Sequence, residues 1–333
     1  MTKPHALLRA AFPYHHTLGM RRVTSSPADI VALGYHGDIY VLNRVDGEGG
    51  EIRHTNWDDE DMGDFGSDFV WPVQMIAGPD DSLVISDEGN HTISFWTKDG
   101  PQIKSWGDHG SGEGQLNRPS GIVIDSDGNL IVADTMNHRI QKFTIDGAFI
   151  SSFGELGEGH GQFNMPWGVD VDPDDGSIVV SDWRNDRVQK FTANGEFLLQ
   201  FGTSGSGRGE LSRPAGVSVD KHGDIYVADR GNHRIQLFGQ NGNFVDVFTG
   251  NAGLSVSGRK YITANPKVLR SRELIDLVDE KNLRGPASVR VVGDLMYIPD
   301  AGSHRIQIYK KEAYELSENE IYAAPNAPSL YTV

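Results

Sequence analysis

The chain has 333 residues, 38% of them hydrophobic, with no cysteine and a formal net charge of −16. Absence of cysteine excludes disulfides, thiolate metal sites and a cysteine nucleophile, and the acidic balance opposes nucleic-acid binding, which rests on Lys and Arg neutralising phosphates. No run approaches the roughly 20 apolar residues of a membrane span, and the opening MTKPHALLRAAFPYHH lacks the apolar stretch of a secretory signal; a cytoplasmic protein with no membrane partner is expected.

A repeated unit begins at Pro27 with PADIVALGYHGDIYVLNR and returns at Pro72 with PVQMIAGPDDSLVISDEGNHTISFW. The next three copies are the clearest: PSGIVIDSDGNLIVADTMNHRIQKF from Pro119, PWGVDVDPDDGSIVVSDWRNDRVQKF from Pro166 and PAGVSVDKHGDIYVADRGNHRIQLF from Pro214, spaced by 47 and 48 residues. A sixth, PASVRVVGDLMYIPDAGSHRIQIY, starts at Pro286 after a longer interval of 72 residues. A fixed period of this size marks a solenoid or a propeller.

Within a unit, Ile122 to Ile124, Leu130 to Val132 and Arg139 to Phe143 are short β-rich runs separated by turn residues, and Ala148 to Phe153 supplies a fourth. Asp127-Gly128 and His222-Gly223 give the positive φ of tight hairpins. Four antiparallel strands in each of six units predict an all-β, six-bladed β-propeller filling residues 1–333 as one domain, its radial closure leaving no exposed sheet edge. The d-to-a and b-to-c connections then share one face, the top.

Three stretches depart from the repeat. HTNWDDEDMGDFGSDFVW, ending at Trp71, is expected as a solvated top-face loop carrying Asp58, Asp59, Glu60 and Asp61. Residues 251–285 hold seven Lys or Arg against four acids, and Asn265-Pro266 is an N-cap and N1 pair opening an amphipathic helix. That insertion is expected on the top face, as a lid over the mouth, a gap filler or a dimer contact. Blade six needs a fourth strand, from His16 to Val23 or from the stretch after Tyr314, with the N-terminal choice preferred. The tail at 310–333 is expected to wrap a neighbouring subunit or to be disordered.

Pro-x-Gly-Ile/Val-x-Val-Asp followed by Ile-x-Val-x-Asp-x-x-Asn-His-Arg-Ile-Gln-x-Phe resembles the NHL repeat over residues 25 to 310. The propeller is also distantly similar to peptidyl-α-hydroxyglycine amidating lyase. That family's zinc histidines would fall at Val73, Trp167 and Ala287, so the resemblance implies no zinc here. The same resemblance matches Arg44 to an arginine that clamps the substrate carboxylate. A second such arginine belongs in blade four, where this chain has Trp183-Arg184, while ADRGN with Arg230 stands one blade later. Gluconolactonase-like propellers, also similar, hold calcium on the axis; here the third residues of the units are Asp29, Gln74, Gly121, Gly168, Gly216 and Ser288, a thin set for a calcium ion.

His91, His138, His233 and His304 share one repeat position, which points to a structural task. Arginines gathered on one face of an acidic protein focus an anion there. A small carboxylate-bearing ligand is therefore expected at the top mouth, on Asp29, Arg44, Gln74, Arg184, Arg230 and Ser288, with Trp71, Trp167 and Trp183 as walls, for lyase- or hydrolase-like use. The alternative is a non-catalytic protein-binding scaffold. Self-association through the tail or the insertion is a further expectation.

Overall fold

The computed structural model describes residues 7–19, 24–34, 37–45, 49–265, 267, 268, 270 and 278–316, and it places them in six four-stranded sheets and two short two-stranded ones. Each blade starts at its proline and runs outward through strands a to d: Pro27–Ala32, Ile39–Val45, Gly49–Thr55 and Asp61–Phe69 in blade one, and Pro119–Ile124, Leu130–Asp134, Arg139–Phe143 and Phe149–Phe153 in blade three. Strand b is buried at every position in blades three to five, because both of its faces pack on neighbouring blades. Its continuous apolar run follows from that two-sided burial. The core is therefore distributed between blades; Ile131 and Ile140 of blade three, for example, meet Val169, Ile178 and Phe191 of blade four.

The N-terminal segment closes the ring. Tyr14–Leu18 pairs antiparallel with Arg305–Lys310 as the outer strand of blade six, with Leu18 opposite Ile306. Leu18 packs with Ile30, Ile39 and Val41 of blade one. Beyond it, Leu7–Ala11 pairs with Glu312–Glu315, and Arg9 donates from Nε to Asp224 of blade five at 2.7 Å. The tail from 317 onward lies outside the described residues.

Two expectations need correction. The acidic stretch is not a top-face loop: Asn56–Glu60 forms the c-to-d turn and Asp61–Phe69 is strand d of blade one. Arg53 of strand c makes this acidic strand tenable, reaching Asp64 at 3.1 Å and Asp61 at 3.7 Å. Only Val70 and Trp71 remain to link blades one and two.

The described part of the insertion makes contacts with blades six and one. Gly253 donates to the Tyr14 hydroxyl at 2.9 Å, on the outer strand of blade six. Helix Val256–Thr263, capped by Ser255, follows, and Ser257 donates to the buried Asp59 carboxylate of blade one at 3.2 Å. This helix thus lies along the rim, earlier than the helix expected after Asn265-Pro266, most of which lies outside the described residues. No described helix is long and apolar enough to cross a membrane.

Candidate active site at the channel mouth

The third position of strand a decides how tightly blades approach. A Cβ on Gly121 would sit 2.4 Å from the Trp167 carbonyl oxygen, and one on Gly168 would sit 2.5 Å from that of Ala215. Glycine there lets the inner strands of blades three, four and five touch. In the other blades, the polar side chain at this position reaches across to its neighbour instead. Asp29 accepts from the Met75 amide at 3.1 Å; Gln74 accepts from the Ile122 amide at 2.9 Å and donates to the Ile122 carbonyl at 3.1 Å; Ser288 donates to Asp29. All three are buried, and their polar ends are engaged within the ring.

Arg290, two residues after Ser288, forms an ion pair with Asp29 and divides the channel. Below it lies a cavity of about 300 Å³ lined by Asp170, Ser218 and apolar residues such as Ile30, Ile76 and Val123. Above it, Val73, Trp167 and Ala287 line a constriction of only about 10 Å³. These are the three positions matched to zinc histidines, and their side chains offer no metal ligand. Among the described residues, no three His, Asp or Glu side chains converge on a metal position.

The mouth above is built from one further repeat position, the residue after the strand b aspartate, whose place Asn43 takes in blade one. It is Arg44, Glu88, Thr135, Trp183, Arg230 and Ala301 in blades one to six. In blades two to six the preceding residue is an Asp that caps the connection; Asp134, for instance, accepts from the Asn117 amide at 2.6 Å. Side chains at the next position are therefore presented to the mouth with little sequence constraint of their own, which frees them to differ.

Arg44 is held by its Nε donating to the Pro72 carbonyl at 2.8 Å and lies 5.1 Å from the Trp71 ring centroid. Burial pushes its pKa down to about 10, with the like charge of Arg230 adding to the shift. Arg230 is also lowered, by burial and by Arg213. Neither arginine has a carboxylate within ion-pair distance among the described residues. Trp167 and Trp183 pack at 5.1 Å as one aromatic wall. Trp71 is 43% exposed at the rim, and Arg184 is exposed, its charge acting on His138 of blade three.

Glu88 is the member that sequence reading passes over. It is 2% exposed; one carboxylate oxygen meets Arg118 at 2.8 Å, and the other is buried without a partner. Burial raises its pKa, opposed by Arg118 and Arg44. Its signal was available in alignment of the repeats, since it alone is acidic at the position of Arg44 and Arg230.

His91 and His138 tie neighbouring blades together. His91 Nδ1 accepts from the Arg118 amide at 2.9 Å, and His138 Nδ1 from the Met165 amide at 3.1 Å. Asp186 replaces the imidazole in blade four, accepting from Arg213 at 2.7 Å. In each case the donor immediately precedes a blade's proline and has φ between 49° and 61°, a left-handed conformation that the bond helps to fix.

The NHL repeat matches residues 116–143, 163–191 and 211–238, and comparison with curated proteins gives no match. Among solved structures, the chain is similar to virginiamycin B lyase from Staphylococcus aureus, with 13% identity, 90% of this chain and 99% of that one covered, and a TM-score of 0.55. It is also similar to a gluconolactonase from Xanthomonas campestris, with 12% identity, coverage of 93% and 99%, and a TM-score of 0.58. A protein of unknown function from Bacteroides thetaiotaomicron gives 17% identity, coverage of 92% and 72%, and a TM-score of 0.60. At these identities the likeness bears on the fold alone; the six blades are those of the six four-stranded sheets.

Proposed function

We propose, taking the chain as an NHL-repeat six-bladed β-propeller, that its top mouth binds a small carboxylate-bearing anion between Arg44 and Arg230. Trp71, Trp167 and Trp183 wall the ligand, while Asp29, Gln74 and Ser288 hold the blades beneath it. Glu88 then exchanges a proton with the bound molecule in a lyase- or hydrolase-type step. The observation that carries this reading is a pair of arginines from blades one and five that lack carboxylate partners among the described residues, each lowered chiefly by burial, with the charge of Arg230 acting on Arg44. A bound carboxylate relieves their repulsion and forms charge-assisted hydrogen bonds in a partly desolvated place. Glu88 has the raised pKa and uncommitted oxygen of a general acid or base.

Neighbours described as a lyase and a gluconolactonase are compatible with such chemistry only by analogy of fold. The test is calorimetric titration of a panel of small carboxylates beside their neutral amides, with the protein and with Arg230→Ala. Binding of acids over amides that drops at least about tenfold in the variant, as loss of a charged hydrogen bond implies, supports the reading. Equal binding of acid and amide, or indifference to Arg230→Ala, overturns it.

A further inference from the structure

Five blades end strand b in aspartate, and in four of them an arginine meets that carboxylate. Arg139 reaches Asp134 at 2.8 Å, Arg187 reaches Asp182 at 2.9 Å, Arg234 reaches Asp229 at 2.6 Å and Arg305 reaches Asp300 at 3.0 Å. The guanidinium also ties down the preceding connection; Arg139 donates to the carbonyls of Gly112 at 2.7 Å and Gln115 at 3.0 Å.

Blade two keeps the carboxylate and lacks the cation. Thr92 stands opposite Asp87 where Arg139 stands opposite Asp134, and Ser94 stands opposite Ile85 where Gln141 stands opposite Val132. The long glycine-rich connection is missing as well, since only Val70 and Trp71 precede Pro72. The result is an open cavity of about 300 Å³ lined by Asp87, Thr92, Ser94, Trp96 and Gln102, with Asp68 also on its wall.

Asp87 is 1% exposed, and its hydrogen-bond donors are all neutral: the amides of Val70, Trp71, Gly89 and Asn90 and the Asn90 side chain. Oδ2 of Asp134 accepts from three side chains, Asn137, Arg139 and Gln141. Oδ2 of Asp87 accepts only from Asn90 and Val70, and no cation lies within ion-pair distance among the described residues. The indole of Trp96 and the ring of Phe69, 5.3 Å apart, flank the same space.

We infer that this cavity is a guanidinium-binding site, taking either a small guanidino compound or an arginine side chain of another protein. The four sister blades display the recognition: a planar fork on the repeat aspartate. Blade two offers the same buried carboxylate, an acidic wall, polar side chains for the remaining N–H groups and an aromatic surface on which a guanidinium can stack. An ammonium is a compact, strongly hydrated point charge and cannot make the same fork. The site is distinct from the mouth: Asp87 lines this cavity and Glu88 does not, its carboxylate turning instead to Arg118.

Calorimetric titration with agmatine, with its diamine counterpart putrescine, and with a short arginine peptide beside its lysine analogue tests this. Binding of agmatine, of the arginine peptide or of both, each at least about tenfold tighter than its ammonium control as loss of a bidentate charged contact implies, is the expected result. Which of the two binds more tightly separates the free compound from the protein side chain as the source. Thr92→Arg restores the sister blades' own residue; it is expected to abolish binding while the protein melts no lower than the parent. Asp87→Asn should weaken binding with the same preference order. No binding, equal binding of ammonium controls, or undiminished binding by a folded Thr92→Arg protein overturns the inference.

Discussion

Arg290, on the innermost strand of the last blade, donates to the carboxylate of Asp29 on the innermost strand of the first; Asp29 is fully buried and the Arg290 side chain is 12% exposed in the channel wall. The pair sits on the seam where the ring closes, with Asp170 adding a second negative charge that acts on the same guanidinium.

Removing the cation therefore leaves two enclosed carboxylates, whereas removing Asp29 leaves Arg290 with Asp170. Arg290→Met should cost about 3–5 kcal/mol, the range for breaking a buried pair, and Asp29→Asn less. Denaturant unfolding of both variants measures the difference. Acidification should narrow the deficit of Arg290→Met, because protonation discharges the stranded carboxylates; equal costs for the two variants would contradict this account.

The outer seam depends on Leu18, which has no exposed surface and packs between blades six and one. Leu18→Ala should lose about 2–5 kcal/mol, as expected for a truncated core leucine. Deletion of residues 1–18 should cost more, since it removes a whole strand and exposes the edge of Arg305–Lys310. Melting temperature and aggregation on dilution would report both effects.

Repetition made the blades legible, because each copy of the Pro119 unit repeats the same turn glycines and apolar runs. It misled wherever a departure was read one residue at a time. Asp29, Gln74 and Ser288 read as mouth ligands only against glycine as an empty baseline; glycine is instead a close contact, and the larger residues span wider gaps. The acidic stretch before Trp71 hid strand d of blade one, since an outer strand with one solvated face carries little apolar signal. Glu88 and the vacancy beside Asp87 were visible only as differences between blades, and their meaning required the register that places Thr92 opposite Asp87.

The imidazoles of His91 and His138 accept backbone N–H groups through Nδ1 and must keep that nitrogen unprotonated. Burial, the largest cause in both, lowers their pKa below 6.5, assisted by His109 and Arg118 at His91 and by Arg184 at His138. The folded state thus binds fewer protons than the unfolded state in this range. The stability they contribute is complete above pH 6.5 and is lost as pH falls from there through the lowered folded values. His91→Asn with His138→Asn, which keeps an acceptor as Asp186 does in blade four, should flatten part of that decline in melting temperature. His222, lowered by burial and Lys311, titrates in the same direction and preserves the remainder.

Glu88 separates stability from function most directly. Its pKa is raised because burial outweighs the attraction of Arg118 and Arg44, so the folded protein binds the proton more tightly than the unfolded chain. The sign is opposite to that of the histidines: the carboxyl favours folding when protonated, and that advantage is lost as pH rises from the ordinary value of 4.5 through the raised one. Glu88→Gln keeps the shape and removes the charge, so at pH 7 it should melt no lower than the parent despite losing the Arg118 ion pair. If Glu88 exchanges the substrate proton, the same variant should lose turnover by about 10²–10⁴-fold, the usual contribution of general acid–base catalysis. Binding of the carboxylate ligand, which rests on Arg44 and Arg230, should remain. A Glu88→Gln protein that turns over normally removes the proton-transfer role and leaves the anion site standing; one that also loses binding assigns Glu88 to holding Arg118 and Arg44 in place.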